Sequence, residues 1–168
     1  MDYDNDGDMD LLITGNTADY RSSVSRFFKN EPSGRLIEDT NQDIIGLKAS
    51  SLKFMDLDND GDQDLIASGW SVIENNLVTK VYQNEPLGTY VELSVDGLHA
   101  VAYGDIDAVD IDHDGDLDIS ISGVDSVSNF ATRVHSLSGK VYKNEGSFNF
   151  TELLDLSLIH ISEPTRPF

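Results

Sequence analysis

The sequence predicts an all-β fold, a partial β-propeller of about three four-stranded antiparallel blades with Asp-rich calcium loops. Three observations carry this. First, a 15-residue stretch recurs: MDYDNDGDMDLLITG at 1–15, MDLDNDGDQDLIASG at 55–69 and VDIDHDGDLDISISG at 109–123, with first aspartates at 2, 56 and 110, a step of 54 each time. Second, a downstream element recurs as RFFKNEP (26–32), KVYQNEP (80–86) and KVYKNEG (140–146), steps of 54 and then 60. Third, the intervening segments are short, β-branched or aromatic, and bounded by turn residues, with no convincing 3.6-residue period. Fixed periods of about 40–60 residues mark arrays such as propellers, whereas β-solenoid repeats are usually much shorter. Four strands per repeat is the composition of a propeller blade.

The middle period shows the elements most clearly. SLKFM (51–55) alternates weakly and is strand A. DLIAS (64–68) is a short apolar run ending beside Gly69, as in a buried inner strand B. LVTKVYQ (77–83) and TYVEL (89–93) supply strands C and D, joined by the turn residues NEPLG. The strand D segment recurs as GRLIE (34–38), GTYVE (88–92) and FNFTE (148–152). The blades are expected at 1–48, 49–97 and 98–155. The first lacks strand A, because Met1-Asp2 aligns with Met55-Asp56 in mid-blade, and the chain reads as a fragment. Residues 156–168, ending Pro-Thr-Arg-Pro-Phe, break the repeat and read as a non-native, adapter-like tail.

Composition narrows the function. The 168 residues carry 31 acidic and 11 basic side chains, a formal charge of −20, with 39% hydrophobic residues. Such a chain buries a core, and its charge excludes nucleic acid and anionic membrane surfaces while favouring cations. Cysteine is absent, which removes disulfides and thiolate metal sites. No stretch approaches the roughly 18 apolar residues of a membrane span.

The charge has a local purpose. In Asp56-x-Asp58-x-Asp60-Gly61-x-x-Asp64, loop positions 1, 3 and 5 put three carboxylates on the inner side of a tight turn. Glycine at position 6 permits the bend, the Asp62 carbonyl at position 7 can point inward, and Asp64 at position 9 can close the shell. Hard oxygen ligands at this density suit calcium, which takes six to eight of them. The candidate ligands are Asp2, Asp4, Asp6, Asp8 and Asp10; Asp56, Asp58, Asp60, Asp62 and Asp64; and Asp110, Asp112, Asp114, Asp116 and Asp118, with about three Ca²⁺ ions. An EF-hand is excluded: position 12 is Ile13, Ala67 or Ile121 rather than Glu, and the flanks are strands. A solvated acidic turn would account for one such loop but not for three at a constant step.

The Asp-x-Asp-x-Asp-Gly-x-x-Asp loop, the following Asp-Leu-Ile strand and the Tyr-x-Asn-Glu turn resemble FG-GAP/VCBS-type repeats. Those are calcium-binding blades of integrin α-chain-like propellers and of many bacterial secreted or surface proteins. The resemblance covers about residues 1–155; the Phe-Gly and Gly-Ala-Pro motifs that name the family are not literal, ITG, ASG and ISG standing in place of the latter. It implies a calcium-bearing propeller with its ion loops on one face and ligands on the other. Localisation is then extracellular, cell-surface or periplasmic.

Chemistry beyond metal binding is not indicated. His99, His113, His135 and His160 form no zinc pattern, and no nucleophile elbow or phosphate loop is present. His113, at loop position 4, should face solvent. Arg26, Lys80 and Lys140 align as an exposed strand position, and Phe28, Tyr82 and Tyr142 as core between blades. The expectation is a binding or adhesion module and not an enzyme, its partners a protein or carbohydrate ligand and the remaining blades of the parent chain. The rival is the propeller portion of a secreted enzyme such as a polysaccharide lyase, with catalytic residues outside this segment. Ligand-contact candidates are the B–C loops, Asn16–Ser25, Trp70–Asn76 and Val124–Ser136, with Tyr20, Trp70 and Phe130 as anchors.

Overall fold

The computed structural model of the protein describes residues 1–86, 88–126 and 136–155. The described residues contain eleven strands and no helix. They form three antiparallel sheets, each a meander in chain order. The first holds β1 (Leu11–Asn16), β2 (Ser23–Asn30) and β3 (Leu36–Asp39). The second holds β4 (Leu47–Met55), β5 (Asp64–Ser71), β6 (Asn76–Glu85) and β7 (Thr89–Leu93). The third holds β8 (Ala102–Val109), β9 (Asp118–Ser126), β10 (Ser136–Asn144) and β11 (Phe150–Asp155). An all-β chain of successive three- and four-stranded meanders is consistent with part of a propeller-like fold.

The sheets stack face to face, and strand alternation decides which neighbour each side chain meets. On β5, Leu65 and Ala67 enter a core with Tyr3, Phe27, Leu47, Tyr82 and Tyr90. Ile66, one residue on, enters a second core with Met55, Leu57, Val81, Ile106, Ile119, Ile121 and Tyr142. A strand buried on both sides needs apolar residues at consecutive positions, which is why DLIA reads as a continuous run. The aligned aromatic position is core in the second and third sheets, where Tyr82 and Tyr142 are buried. Arg26, Lys80 and Lys140 pair across the strands with Glu38, Glu92 and Glu152 at 3.5, 2.9 and 2.8 Å.

The chain passing between sheets is held on both sides. Ile45 N–H donates to Tyr82 Oη ahead of it (3.1 Å), and its carbonyl accepts from Ser25 Oγ behind it (2.8 Å). His99 repeats this, donating its N–H to Tyr142 Oη (2.8 Å) and accepting at its carbonyl from Thr79 Oγ1 (2.8 Å). The repeated glycine, which lies within β5 (Gly69) and β9 (Gly123), has a packing cause. β4 and β8 each bulge, at Ala49 and Tyr103, both at positive φ. A Cβ on Gly69 would stand 2.8 Å from Ser50 Cβ, and one on Gly123 2.8 Å from Gly104 Cα. Gly15, on a sheet with no fourth strand, has nothing within 4 Å of that place.

Two expectations fall wholly or partly outside the described residues. The tail at 156–168 is one; the other is most of the third B–C loop, including Phe130 and His135.

Candidate metal centres

The three Asp-rich segments connect Met1 to β1, β4 to β5 and β8 to β9, and they share one backbone path. Position 4 is left-handed in each (Asn5, Asn59 and His113, φ 57, 62 and 64°), as is the glycine at position 6 (Gly7, Gly61 and Gly115, φ 92, 96 and 98°). Two left-handed residues in three turn the chain back on its own first aspartate. That carboxylate accepts the glycine N–H: Gly7 to Asp2 at 3.0 Å, Gly61 to Asp56 at 3.1 Å, Gly115 to Asp110 at 3.1 Å. The position-5 carboxylate accepts the position-7 N–H: Asp8 to Asp6 at 2.9 Å, Asp62 to Asp60 at 2.8 Å, Asp116 to Asp114 at 3.0 Å.

Position 9 is the most buried member and anchors the loop to the sheet. Asp64 accepts the Leu57 N–H on one oxygen and the Asn84 N–H on the other, both at 2.9 Å. Asp10 does the same with Tyr3 (3.1 Å) and Asn30 (2.9 Å), and Asp118 with Ile111 (2.8 Å) and Asn144 (2.9 Å). Burial pushes the Asp64 carboxyl up to about 7, against the pull of its two N–H donors, and it moves Asp10 the same way. Burial, with Asp60 and Asp56 nearby, also raises Asp58.

Each loop converges three carboxylates whose oxygens lie within 4.8 Å of one another. In the first they are Asp2, Asp4 and Asp6; in the second Asp56, Asp58 and Asp64; in the third Asp110, Asp112 and Asp118. Positions 1 and 3 are thus common to all three loops. Position 5 joins the trio in the first loop only, and position 9 in the other two. The position-7 side chains stand apart: Asp62 accepts from Asn5 Nδ2 and Asp116 from Asn59 Nδ2, each at 2.6 Å.

These trios fit a hard dication. Asp4 Oδ1, Asp56 Oδ1 and Asp58 Oδ1 are buried oxygens with no hydrogen-bond partner. The Asp4 side chain is only 10% exposed. A buried, unpartnered carboxylate oxygen facing other carboxylates is costly unless a cation meets it.

Three sets of contributing residues escape a reading of the aspartates alone. The x of Tyr-x-Asn-Glu steers the outer oxygen of position 3. Lys29 Nζ meets Asp4 at 2.7 Å, Gln83 Nε2 meets Asp58 at 2.8 Å, and Lys143 Nζ meets Asp112 at 2.5 Å and Asp114 at 3.2 Å. The Asn of that motif ties successive loops together: Asn84 Nδ2 donates to the Tyr3 carbonyl (2.9 Å), and Asn144 Nδ2 to the Leu57 carbonyl (2.8 Å). Asn5 and Asn59 form the third set: position 4 in these loops is solvent-exposed, as expected, and at the same time reaches the next loop. A long donor at every x position, and Asn–Asp pairs 57 apart, were the available signals.

Outside the loops, His99 Nε2 meets Ser138 Oγ and lies 3.7 Å from Asp125. Both contacts use the same ring nitrogen, whereas a nucleophile–base–acid relay needs both nitrogens.

A family model described as FG-GAP-like repeat matches residues 2–67 and again residues 56–121. The two placements begin 54 residues apart, the step of the loops. Comparison with curated proteins and with solved structures returns no match.

Proposed function

The chain belongs to the FG-GAP-like repeat family, and from that membership we propose that it is a calcium-held, propeller-like module of a secreted or cell-surface protein. It acts in adhesion or ligand binding. The observation that carries the calcium reading is the set of buried, unpartnered oxygens of Asp4, Asp56 and Asp58 inside carboxylate trios. Asp2, Asp4 and Asp6 in the first loop, Asp56, Asp58 and Asp64 in the second and Asp110, Asp112 and Asp118 in the third hold the ion, and position 9 (Asp10, Asp64 and Asp118) also fixes each loop to its sheet. Bound calcium supplies charge compensation and cross-linking, not a reaction.

The ligand surface lies at the opposite sheet end. β5 runs eight residues from the second Asp loop to the β5–β6 connection, about 26 Å at about 3.3 Å per residue. Tyr20 and Ile73 are exposed on the first two B–C connections, and Trp70, at the end of β5, lies under Lys48 Nζ at 5.7 Å. Aromatic side chains on connections held by a rigid sheet suit protein or carbohydrate ligands.

Calorimetric titration with calcium tests the metal assignment: three sites are expected, and no heat of binding up to the millimolar range contradicts it. Probing glycan and matrix-protein arrays in calcium with the wild type and a Tyr20→Ala/Trp70→Ala variant tests the ligand surface. Binding lost in the variant supports it, and binding retained argues against it.

A further inference from the structure

We propose that the cleft between the second and third sheets binds a lysine side chain of a partner polypeptide, with its ammonium at Asp58 and its stem along Leu93, Val95 and Phe148. The cleft has a volume of about 430 Å³ and is lined by Asp58 and Gln83 beside the second Asp loop and by Leu93, Val95 and Phe148. That volume falls in the range of small-ligand pockets, about 300–1,000 Å³, and leaves room beside a side chain for the segment that carries it.

The choice of occupant follows from the sister loops. At the first, Lys29 Nζ stands 2.7 Å from Asp4 Oδ2 and 5.5 Å from the centre of the Tyr3 ring. At the third, Lys143 Nζ meets Asp112. At the second, the same position is Gln83, whose neutral amide donates to Asp58 Oδ2 at 2.8 Å. Position 3 of this loop therefore lacks the ammonium that its two counterparts have, and no basic side chain lines the cleft.

The space follows from the same comparison. At the first interface the corresponding place is closed. A Cβ on Gly88 would stand 2.8 Å from Asp4 Cβ, and Gln42 Nε2 spans Asp39 (2.9 Å) and the Gly88 carbonyl (2.6 Å). At the second interface Leu93 replaces Asp39, Asp96 replaces Gln42 and Phe148 replaces Gly88. The cleft thus keeps a position-3 carboxylate and an aromatic ring, which both attract an ammonium, and adds apolar walls for a four-carbon stem. An anionic ligand is disfavoured by Asp58 and by the net charge of −20. The ammonium and an ion can share Asp58. Its Oδ1 is buried and without a partner while Oδ2 takes the Gln83 donor, the same division that Asp4 shows with Lys29. Each cation then weakens the other, reciprocally.

Nuclear magnetic resonance titration of the isotope-labelled protein with Nα-acetyl-lysine methylamide, in about 2 mM calcium, tests this. The amide signals of Leu93, Val95 and Phe148 should shift and saturate in the millimolar range. The same probe acetylated at Nε keeps its stem but not its charge, and should bind at least about tenfold more weakly, as expected for a lost hydrogen bond between charged groups. Gln83→Lys, which supplies the ammonium from within as Lys29 does, should abolish binding with unchanged circular dichroism. Phe148→Ala should weaken it about threefold or more. A wild type whose cleft signals do not shift, equal affinity for the acetylated probe, or full binding by Gln83→Lys overturns the proposal. Calcium titration of the same samples reads the metal assignment separately.

Discussion

At the scale of single residues, the candidate centres are distinguished by what stands behind position 3. Lys29 and Lys143 put an ammonium beside the carboxylates of the first and third loops, whereas Gln83 puts a neutral amide beside those of the second. A cation there competes with a dication a few ångströms away. The second loop should therefore bind calcium most tightly. Gln83→Lys should weaken that site about fivefold or more, and Lys143→Gln should tighten the third, both read by calorimetry; equal affinities before and after the exchange contradict this. Proton linkage gives a second prediction. In the ion-free fold Asp64 titrates near 7, above its ordinary value of 3.8. Its own contribution to stability is then present at low pH and lost as pH rises through about 7. Calcium binding needs the ionised form, so the sign reverses when the ion is added. The melting-temperature gain from calcium should begin to shrink below about pH 7, not only near pH 4 where exposed aspartates protonate. A gain that stays flat down to pH 5 would rule out Asp64 as the linked group. The aspartate pattern was legible from spacing alone. The supporting Lys, Gln and Asn were not, because their partners lie 25 to 87 residues away and only the repeat links them.

At the scale of elements, the strands were legible because each shows either alternation or a short apolar run between turns. β4 is longer than its sequence expectation, beginning at Leu47 instead of Ser51. The bulge at Ala49 interrupts the alternation there, so pattern reading starts the strand late. That bulge also explains the repeated glycine on strand B, and two substitutions separate this cause from backbone preference. Gly69→Ala places a Cβ against Ser50 and should cost about 1–3 kcal/mol. Gly15→Ala meets nothing within 4 Å and should stay within about 0.5 kcal/mol. Chemical denaturation of both variants measures the difference. Equal costs would mean that the close approach to β4 is not what requires glycine.

At the scale of the whole molecule, three carboxylate-rich loops line one edge of a stack whose sheets are tied by Asn–carbonyl and Asn–Asp bonds between neighbouring loops. Ions in those loops would hold the edge together and, as three dications, lower the formal charge from −20 to −14. With calcium at about 2 mM and a dissociation constant of about 10⁻⁴ M, mass action stabilises the fold by about 1.8 kcal/mol per site. Three sites give about 5 kcal/mol, comparable to the entire stability of a small domain. For a chain of this size, that corresponds to about 10–20 °C in melting temperature. The most direct test is therefore a pair of melting curves at neutral pH, one in about 2 mM calcium and one in excess chelator. A fall of about 10 °C or more on chelation is the predicted result, and superimposable curves would contradict a calcium-held fold.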